Sequence, residues 1–367
     1  MKKMKLQDCC IFISDGDHQA PPKSDKGVPF ITISNITTDN RIDFSNVMYV
    51  PFEYYEQLSE KSKAIKNDIL YSVVGSFGKP VLIEEDRKFV FQRHIAILRP
   101  NLEKVIPEFL YYTLLNPQFY TVADYLAIGA AQRTISLESL RNIEIELPSL
   151  SQQKRIVDVI APIDKKIHEN AMLNDYLEQQ ALLIFRYMFQ NISYGLNHVG
   201  DYITPKRGTP LLSKNAISGC VPVIAGGLVP ATYHNMANTV APVLTISGSG
   251  ANAGYVNIWH DSVWSSDSSY IDSEMTPNVY FWYAFLKLRQ QDIFDIQTGS
   301  AQPHIYPKHI AELSIGDVAD SEIESYTSQV APLFAKVGAN IRENNELKRL
   351  RDWLLPMLMN GQATIED

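Results

Sequence analysis

The stretch GAAQRTISLESLRNIEI, residues 129–145, returns 170 residues later as GSAQPHIYPKHIAELSI, residues 299–315. Gly129, Ala131, Gln132, Ile135 and Ile145 meet Gly299, Ala301, Gln302, Ile305 and Ile315. The register runs on without a gap. Ser151 falls on Ser321, Ala161-Pro162 on Ala331-Pro332, Lys166 on Lys336, Asn170 on Asn340, Asn174 on Asn344 and Leu177 on Leu347. Self-similarity at a fixed offset marks one structural unit built twice. Shorter matches extend upstream with gaps. VVGSFG at 73–78 pairs with ISGSGA at 246–251, FVFQRHIA at 89–96 with VWSSDSSY at 263–270, and GVPFI at 27–31 with CVPVI at 220–224.

Each copy ends in a long amphipathic segment with a heptad seam. In the first, Ile156, Ile160, Ile163, Ile167, Asn170, Asn174, Leu177, Ala181 and Ile184 alternate four and three apart. In the second, the seam is Tyr326, Val330, Leu333, Val337, Asn340, Asn344, Leu347, Arg351 and Leu354. This is the a/d pattern of a coiled coil. Ser151 and Ser321 are expected as N-caps, and Pro162 and Pro332 are expected to bend the helices near their first turns. Two asparagines per seam are costly unless they set register. Antiparallel packing would place Asn170 against Asn344 and Asn174 against Asn340. A helix over 151–188 would run ~57 Å at 1.5 Å per residue. Two such helices would form a rod with a globular domain at each end, an object suited to a two-fold partner such as duplex DNA.

The globular parts are mixed. Short β-like runs occur at 29–34, 69–76, 81–85, 89–92, 95–100 and 143–148, around a helical stretch at 107–127 with Pro107 at its start. The second copy repeats this with strands in VPVIA, PVLTIS and AGYVNIW and one helix in PNVYFWYAFLKLRQQDIFD. The expected fold class is α+β: two mixed α/β domains and two long antiparallel coiled-coil helices, with internal two-fold pseudo-symmetry. The boundaries read as 1–147, 148–192, 193–317 and 318–367.

Composition narrows the function. Apolar residues make up 45 % of 367 residues, enough for packed cores. No apolar run approaches the ~18–20 residues of a membrane span, and MKKMKLQDCCIFIS, interrupted by Asp8, does not read as a signal peptide. Three cysteines, two of them adjacent, suggest a reducing, cytoplasmic setting. The net charge is −8, so any nucleic-acid contact rests on local basic groups and is weak for this chain alone. There is no P-loop, no adenine-methyltransferase motif and no Cys/His metal spacing. The glycine-rich SGSGANAG at 247–254 precedes a strand and reads as a hairpin or recognition loop. EEDRK at 84–88 is too common a pattern to mark a nuclease. The eight histidines are scattered, and no nucleophile–base set stands out. The chain is expected to have no catalytic residues, no metal and no cofactor of its own.

Recognition remains. Side chains able to read base edges cluster at matching places in both copies: Ser76, Lys79, Gln92, Arg93, Gln132 and Arg133 in the first, and Ser249, Asn252, Ser266, Asp267, Gln302, His304 and Lys308 in the second. Arginine suits guanine, glutamine and asparagine suit adenine, and aspartate suits the cytosine amino group. A shared framework with different side chains is what two readers of different sequences require. Taken singly, each of these is also what an ordinary polar loop would carry.

With these features the sequence resembles the specificity (S) subunits of type I restriction–modification systems. The most specific segment is LPSLSQQKRIVDVIAPIDKKIHENAMLNDYLEQQALLIFRYMF at 147–189, similar to the central helical region of that family. ISDGDHQAPPKSDKGVPFITISNI at 13–36 and GDYITPKRGTP at 200–210 resemble the openings of two target-recognition domains, and GSAQPHIYPKHIAEL at 299–313 the end of one. The resemblance implies that each domain reads half of a bipartite target in double-stranded DNA and that the helices set the spacer. It implies two methyltransferase (M) subunits carrying S-adenosylmethionine, and restriction (R) subunits using ATP and Mg. The segment DVADSEIESYTSQVAP at 317–332 departs from the pattern: it lacks the Q-x-x-I form and the preceding proline. The second helix is therefore expected to start later or to dock an M subunit less tightly. Other readings are a recognition partner of a fused restriction–methylation enzyme, a silent specificity cassette, and a split-domain enzyme. The last would need a cofactor or metal motif.

Overall fold

The structure is a computed structural model, and it describes residues 2–130, 132–190, 192, 195–299 and 302–362. Ala131 and Ala301 of the repeat lie outside the described residues. The chain forms two compact units: Met1–Lys166 with Glu346–Asp367, and Ile167–Asn345. The two units divide inside both long helices, between residues 166 and 167 and between 345 and 346.

In the first unit, β1 (Lys2–Lys5) pairs antiparallel with β9 (Glu144–Leu147), tying the start of the domain to its end. A four-stranded antiparallel sheet has the order β2 (Cys10–Asp15), β8 (Ile95–Pro100), β5 (Ile69–Ser72), β6 (Pro80–Leu82). A smaller sheet orders β4 (Met48–Val50), β3 (Val28–Ile31), β7 (Val90–Phe91), with β3 and β7 parallel. A short helix, α1 (Phe52–Gln57), follows β4. The larger sheet is apolar on both faces because one covers the helices and the other the small sheet. Ile69, Tyr71, Ala96 and Leu98 face a core shared with Phe109 and Leu110, while Leu70, Ile95 and Ile97 face Ile31 and Phe91.

The single helix expected over 107–127 is two, α2 (Pro107–Leu115) and α3 (Pro117–Leu126). Pro117 has no N–H to continue α2, and the side chain of Asn116 caps α3 by accepting from Gln118 N at 2.9 Å. The equivalent stretch of the second unit also breaks, at Arg289, into α7 (Val279–Leu288) and α8 (Gln290–Asp295). A short α4 (Leu137–Asn142) leads into β9.

The second unit repeats the plan. A short β10 (Asn197–His198) and α6 (Val199–Tyr202) open it. One sheet orders β11 (Lys206–Arg207), β17 (Ser268–Asp272), β14 (Val243–Ser247), β15 (Val256–Trp259), and the other β13 (Thr232–His234), β12 (Val221–Ile224), β16 (Trp264–Ser265). The parallel pair recurs: Phe30 opposite Val90 in the first unit, Val223 opposite Trp264 in the second. The glycine-rich 247–254 segment links β14 and β15 as a hairpin. A short α9 (Pro307–Ala311) and β18 (Ser314–Ile315), paired with β10, close it.

The long helices are α5 (Leu150–Met188) and α10 (Asp320–Met359). They start at equivalent repeat positions, so the second does not start later. Neither expected serine caps: Ser151 and Ser321 lie inside the helices. Ser149 precedes α5, its hydroxyl accepting from Gln152 N while Gln152 Oε1 accepts from Ser149 N, both at 3.3 Å. At α10 the carboxylate of Glu322 accepts from Ala319 N at 3.1 Å. The missing proline and Q-x-x-I are thus replaced locally by an acidic first turn, which the helix dipole favours.

Within the second unit, the helices pack antiparallel through their asparagines. Asn170 Nδ2 donates to Asn344 Oδ1 at 2.9 Å, and Asn344 Nδ2 donates to the carbonyl of Ile167 at 3.0 Å. Asn340 Nδ2 donates to Asn174 Oδ1 at 2.8 Å. Towards one end the buried positions slip by one, from Leu333 to Phe334 and from Ile184 to Phe185, the drift of a 3.6-residue turn against a 3.5-residue repeat. In the first unit the seam holds an ion pair, Arg351 Nη1 to Asp164 Oδ1 at 2.9 Å, flanked by Ile160 and Leu355.

Asn344→Leu should destabilise the protein by about 1–3 kcal/mol in urea unfolding, because it leaves Asn170 and a helix carbonyl short of partners. The Asn170→Leu/Asn344→Leu double variant should cost less than the two singles together.

Burial, opposed by Asp261 and assisted by Arg342, holds the His260 imidazole down at about 4. Its ring stacks on Phe334 of α10 at 5.9 Å. The folded state disfavours the protonated ring, so this contribution is complete above the ordinary value of 6.5 and is lost as pH falls towards 4. His260→Gln should flatten the fall in unfolding free energy between those pH values, measured by urea titration.

Candidate nucleic-acid interface

The candidate recognition residues sit on loops at one end of each large sheet, and the same backbone hydrogen bonds build the loops in both units. In the first unit the turn after β5 is closed by Gly78 N to Ser72 O at 3.0 Å. Gly75 has a positive φ of 76° and donates to the carbonyl of Arg133 at 3.1 Å, and Ile135 N donates to Val73 O at 3.0 Å. Ile128 and Thr134 exchange two hydrogen bonds, at 2.8 and 2.9 Å, and Gln132, just before this pair closes, is exposed. Gly129 has φ 93°, and a Cβ there would strike the Gln132 carbonyl. That is why the repeat carries glycine at this place.

The second unit copies this skeleton. Gly254 N donates to Ser247 O at 2.7 Å, Gly250 N to Pro303 O at 3.0 Å, and Ile305 N to Gly248 O at 3.0 Å. Thr298 and His304 exchange bonds of 3.0 and 2.8 Å, Gly299 has φ 95°, and Gln302 is exposed. These bonds correct the upstream alignment. Gly75 matches Gly250 and Val73 matches Gly248, two residues away from the pairing that the shared Gly-Ser suggested. The second hairpin is one residue longer, and an ungapped match across loops of unequal length slides onto the wrong glycine. Gln92 keeps its match: Gln92 N donates to Ile31 O as Ser266 N donates to Ile224 O. His94 and Asp267 then coincide, since their carbonyls accept from Val73 N and Gly248 N, both at 2.9 Å. Arg93 is an extra residue of the first copy.

The side chains diverge on this common frame. In the first unit Ser76 is exposed, and its carbonyl accepts from the Ser72 hydroxyl at 2.7 Å. Lys79 Nζ reaches the Thr37 carbonyl at 3.5 Å. Arg93 is exposed, its backbone N–H held by the Asp17 carbonyl at 2.9 Å, and Gln92 bridges to Asp17. Arg133 is paired with Asp124 at 2.9 Å. Sequence reading missed the acidic partners. Asp17 accepts from the Tyr54 hydroxyl, and Asp15 contacts His18 Nε2 at 2.7 Å. Burial, then the bond to Asp17 and its charge, push the Tyr54 phenol up to about 12.

In the second unit Asp267 accepts from the Ser249 hydroxyl and from Arg207 Nη2. The Arg207 guanidinium lies over the Tyr306 ring, 5.9 Å from its centroid, and the His304 ring stacks on Tyr306 at 5.9 Å and 14°. Lys308 is exposed and Asn252 is half-buried in the hairpin turn, its carbonyl accepting from Tyr255 N at 3.0 Å. Ser266 is a correction: it is 5 % exposed and its hydroxyl accepts from Leu211 N at 2.9 Å, so it anchors a loop inside the domain. Arg207 and Tyr306 were not picked out, although both lie in the segments PKRGTP and PHIYP that carry the resemblance. Among the described residues no cluster of three or more His, Cys, Asp or Glu side chains could hold a metal ion, and no helix is long and apolar enough to cross a membrane.

Comparison with known proteins places this architecture. Residues 1–179 match the family described as the type I restriction modification DNA specificity domain. Just under half of the chain therefore carries a type I restriction modification DNA specificity domain. It is 28 % identical over 172 residues to the specificity subunit of the type I restriction enzyme HindI from Haemophilus influenzae, covering 44 % of this chain and 35 % of that one. It is 30 % identical over 131 residues to the EcoBI specificity subunit from Escherichia coli, covering 36 % and 27 %. The aligned chain thus spans about a third or less of these curated relatives. Over nearly its whole length it shares the fold of an S subunit from M. genitalium, with a TM-score of 0.58, 18 % identity, and coverage of 98 % and 96 %.

Gly299→Ala should open the loop that presents Gln302, because its Cβ would lie 2.5 Å from the Gln302 carbonyl at φ 95°. Strain of this kind costs about 1–3 kcal/mol. Hydrogen exchange should show faster exchange of the Thr298 and His304 amides while the β14 amides stay protected.

Proposed function

We propose that this chain is a specificity subunit that reads a bipartite sequence in double-stranded DNA, one half with each unit, and carries out no chemistry itself. The observation that carries this reading is the duplicated loop skeleton bearing different side chains: Ser76, Lys79, Gln92, Arg93, Gln132 and Arg133 on one copy, and Ser249, Asn252, Asp267, Gln302, His304 and Lys308 on the other. A fixed backbone brings polar tips to equivalent places while their hydrogen-bonding patterns differ, as direct readout of different bases demands. In this reading the recognition domains run over 1–147 and 193–317, and the helical segments 148–192 and 318–367 set the spacer and dock two M subunits. Those subunits bind S-adenosylmethionine and methylate adenine. R subunits add ATP- and Mg-dependent cleavage. The subunit works in the cytoplasm.

The test is co-expression with the adjacent M subunit and mapping of methylated adenines by single-molecule sequencing. Two short half-sites at a fixed spacing are expected; methylation without a split motif would sink the reading. Gln132→Ala should relax only the first half-site and Gln302→Ala only the second, each by about 1–3 kcal/mol for a lost bidentate contact. Relaxation of both halves by either substitution would contradict the division of labour.

A further inference from the structure

We propose that Arg207 reads a guanine in the half-site of the second unit, with Asp267 and Ser249 as its positioning residues. This rests on the DNA-reading function above and assigns it a specific side chain. Arg207 ends β11 at the sheet edge beside the recognition loops, and its side chain is 38 % exposed, against 36 % for Asp267. The guanidinium is held on two sides. Asp267 accepts from Nη2, and the Tyr306 ring lies beneath, stacked in turn on His304. Asp267 is itself fixed by the Ser249 hydroxyl on its other oxygen. Gly248 makes room for the pair, since a Cβ there would collide with Arg207 Nη1 and Asp267 Oδ1. An arginine so restrained has surrendered its rotamer entropy before any ligand arrives and keeps N–H groups for a second partner.

The chemistry of the neighbours selects that partner. A carboxylate beside the guanidinium repels a phosphate, so this arginine is poorly placed for the DNA backbone. It suits a neutral pair of acceptors, and in the major groove O6 and N7 of guanine are that pair. The first unit puts the opposite charge at the same place. Gly16 N donates to Ile95 O as Gly208 N donates to Ser268 O, so Asp15, next to His18, occupies the position of Arg207. The guanine contact therefore belongs to one half-site only.

The experiment uses the S subunit co-expressed with its M subunit, adenine-methylation mapping, and filter binding of the complex to duplexes with each base at every position of the second half-site. Wild type should show a guanine in that half. Arg207→Ala should raise relative binding and methylation of duplexes with another base at that position by about 5- to 150-fold, the range for one bidentate base contact. Arg207→Lys, which keeps the charge and can keep the ion pair, should relax the same position. Asp267→Asn should relax it less and leave the first half-site alone. An unchanged motif with Arg207→Ala or Arg207→Lys in an assembled complex would overturn the assignment while leaving the two-reader function intact. So would a uniform loss on all duplexes with a salt slope reduced by about one, the mark of a phosphate contact. If Arg207→Ala fails to assemble, Arg207→Lys decides. A wild-type complex that methylates no split motif would instead refute the underlying function.

Discussion

The helix pairing in the second unit depends on a few amide groups that must meet. Asn170 with Asn344, and Asn174 with Asn340, are polar side chains on an otherwise apolar seam. Displacing one helix by a residue would bury amides against hydrocarbon, at about 1–3 kcal/mol for each unsatisfied group. An all-leucine seam would bury more apolar area and accept several registers. The asparagines give up some of that energy for one alignment. For a chain whose helices are proposed to set a spacer, an alignment that cannot slip is the property that matters.

The domains follow the same division between what is fixed and what is free. The fixed part is backbone: the glycines at positive φ, the paired bonds of Ile128 with Thr134 and of Thr298 with His304, and the parallel strand pairs. None of these depends on the side chains at the loop tips, so the tips can change without refolding the domain. The units also meet their helices differently. In the first, Arg351 pairs with Asp164 of α5. In the second, Phe185, Phe281 and Tyr326 form an aromatic cluster, and the Tyr283 hydroxyl donates to Glu178. The repeat partners of Arg351 and Asp164 are Ala181 and Phe334, both buried, so the second unit packs apolar groups where the first holds an ion pair.

What the sequence revealed follows from what repeats in it. The matching segments of the two copies and the long helices rest on apolar periodicity and on glycines at positive φ, and these survive duplication, whereas the parallel strand pairs join distant segments and leave no local signal. The break at Asn116-Pro117 was visible as a proline but was outweighed by continuous apolar character. The start of α10 was obscured because an acidic turn does the work of the Ser-Gln box at α5. The candidate site was legible only as a region. Gln132 and Gln302 stand exposed at matching places because the repeat locks their position. Arg207, Tyr306, Asp17 and Tyr54 come from distant strands and loops, so no local spacing announces them. Ser266 looks like a polar reader in one dimension, yet the Leu211 amide had already claimed it.

The pairing of arginines with acids bears on how an acidic chain can recognise DNA. Arg207 with Asp267 and Arg133 with Asp124 join two of the cations near the loops to carboxylates. Each pair contributes little net charge, so it adds little to sequence-independent attraction, which scales with the phosphates neutralised. It still presents fixed N–H donors to a base edge, where geometry and not charge decides. A reader built this way binds random DNA weakly and loses little selectivity by doing so, because the ratio of specific to non-specific binding, not raw affinity, finds a site among many. The net charge of −8 is then compatible with the proposed role: affinity can come from partner subunits, and the specificity chain can spend its arginines on discrimination.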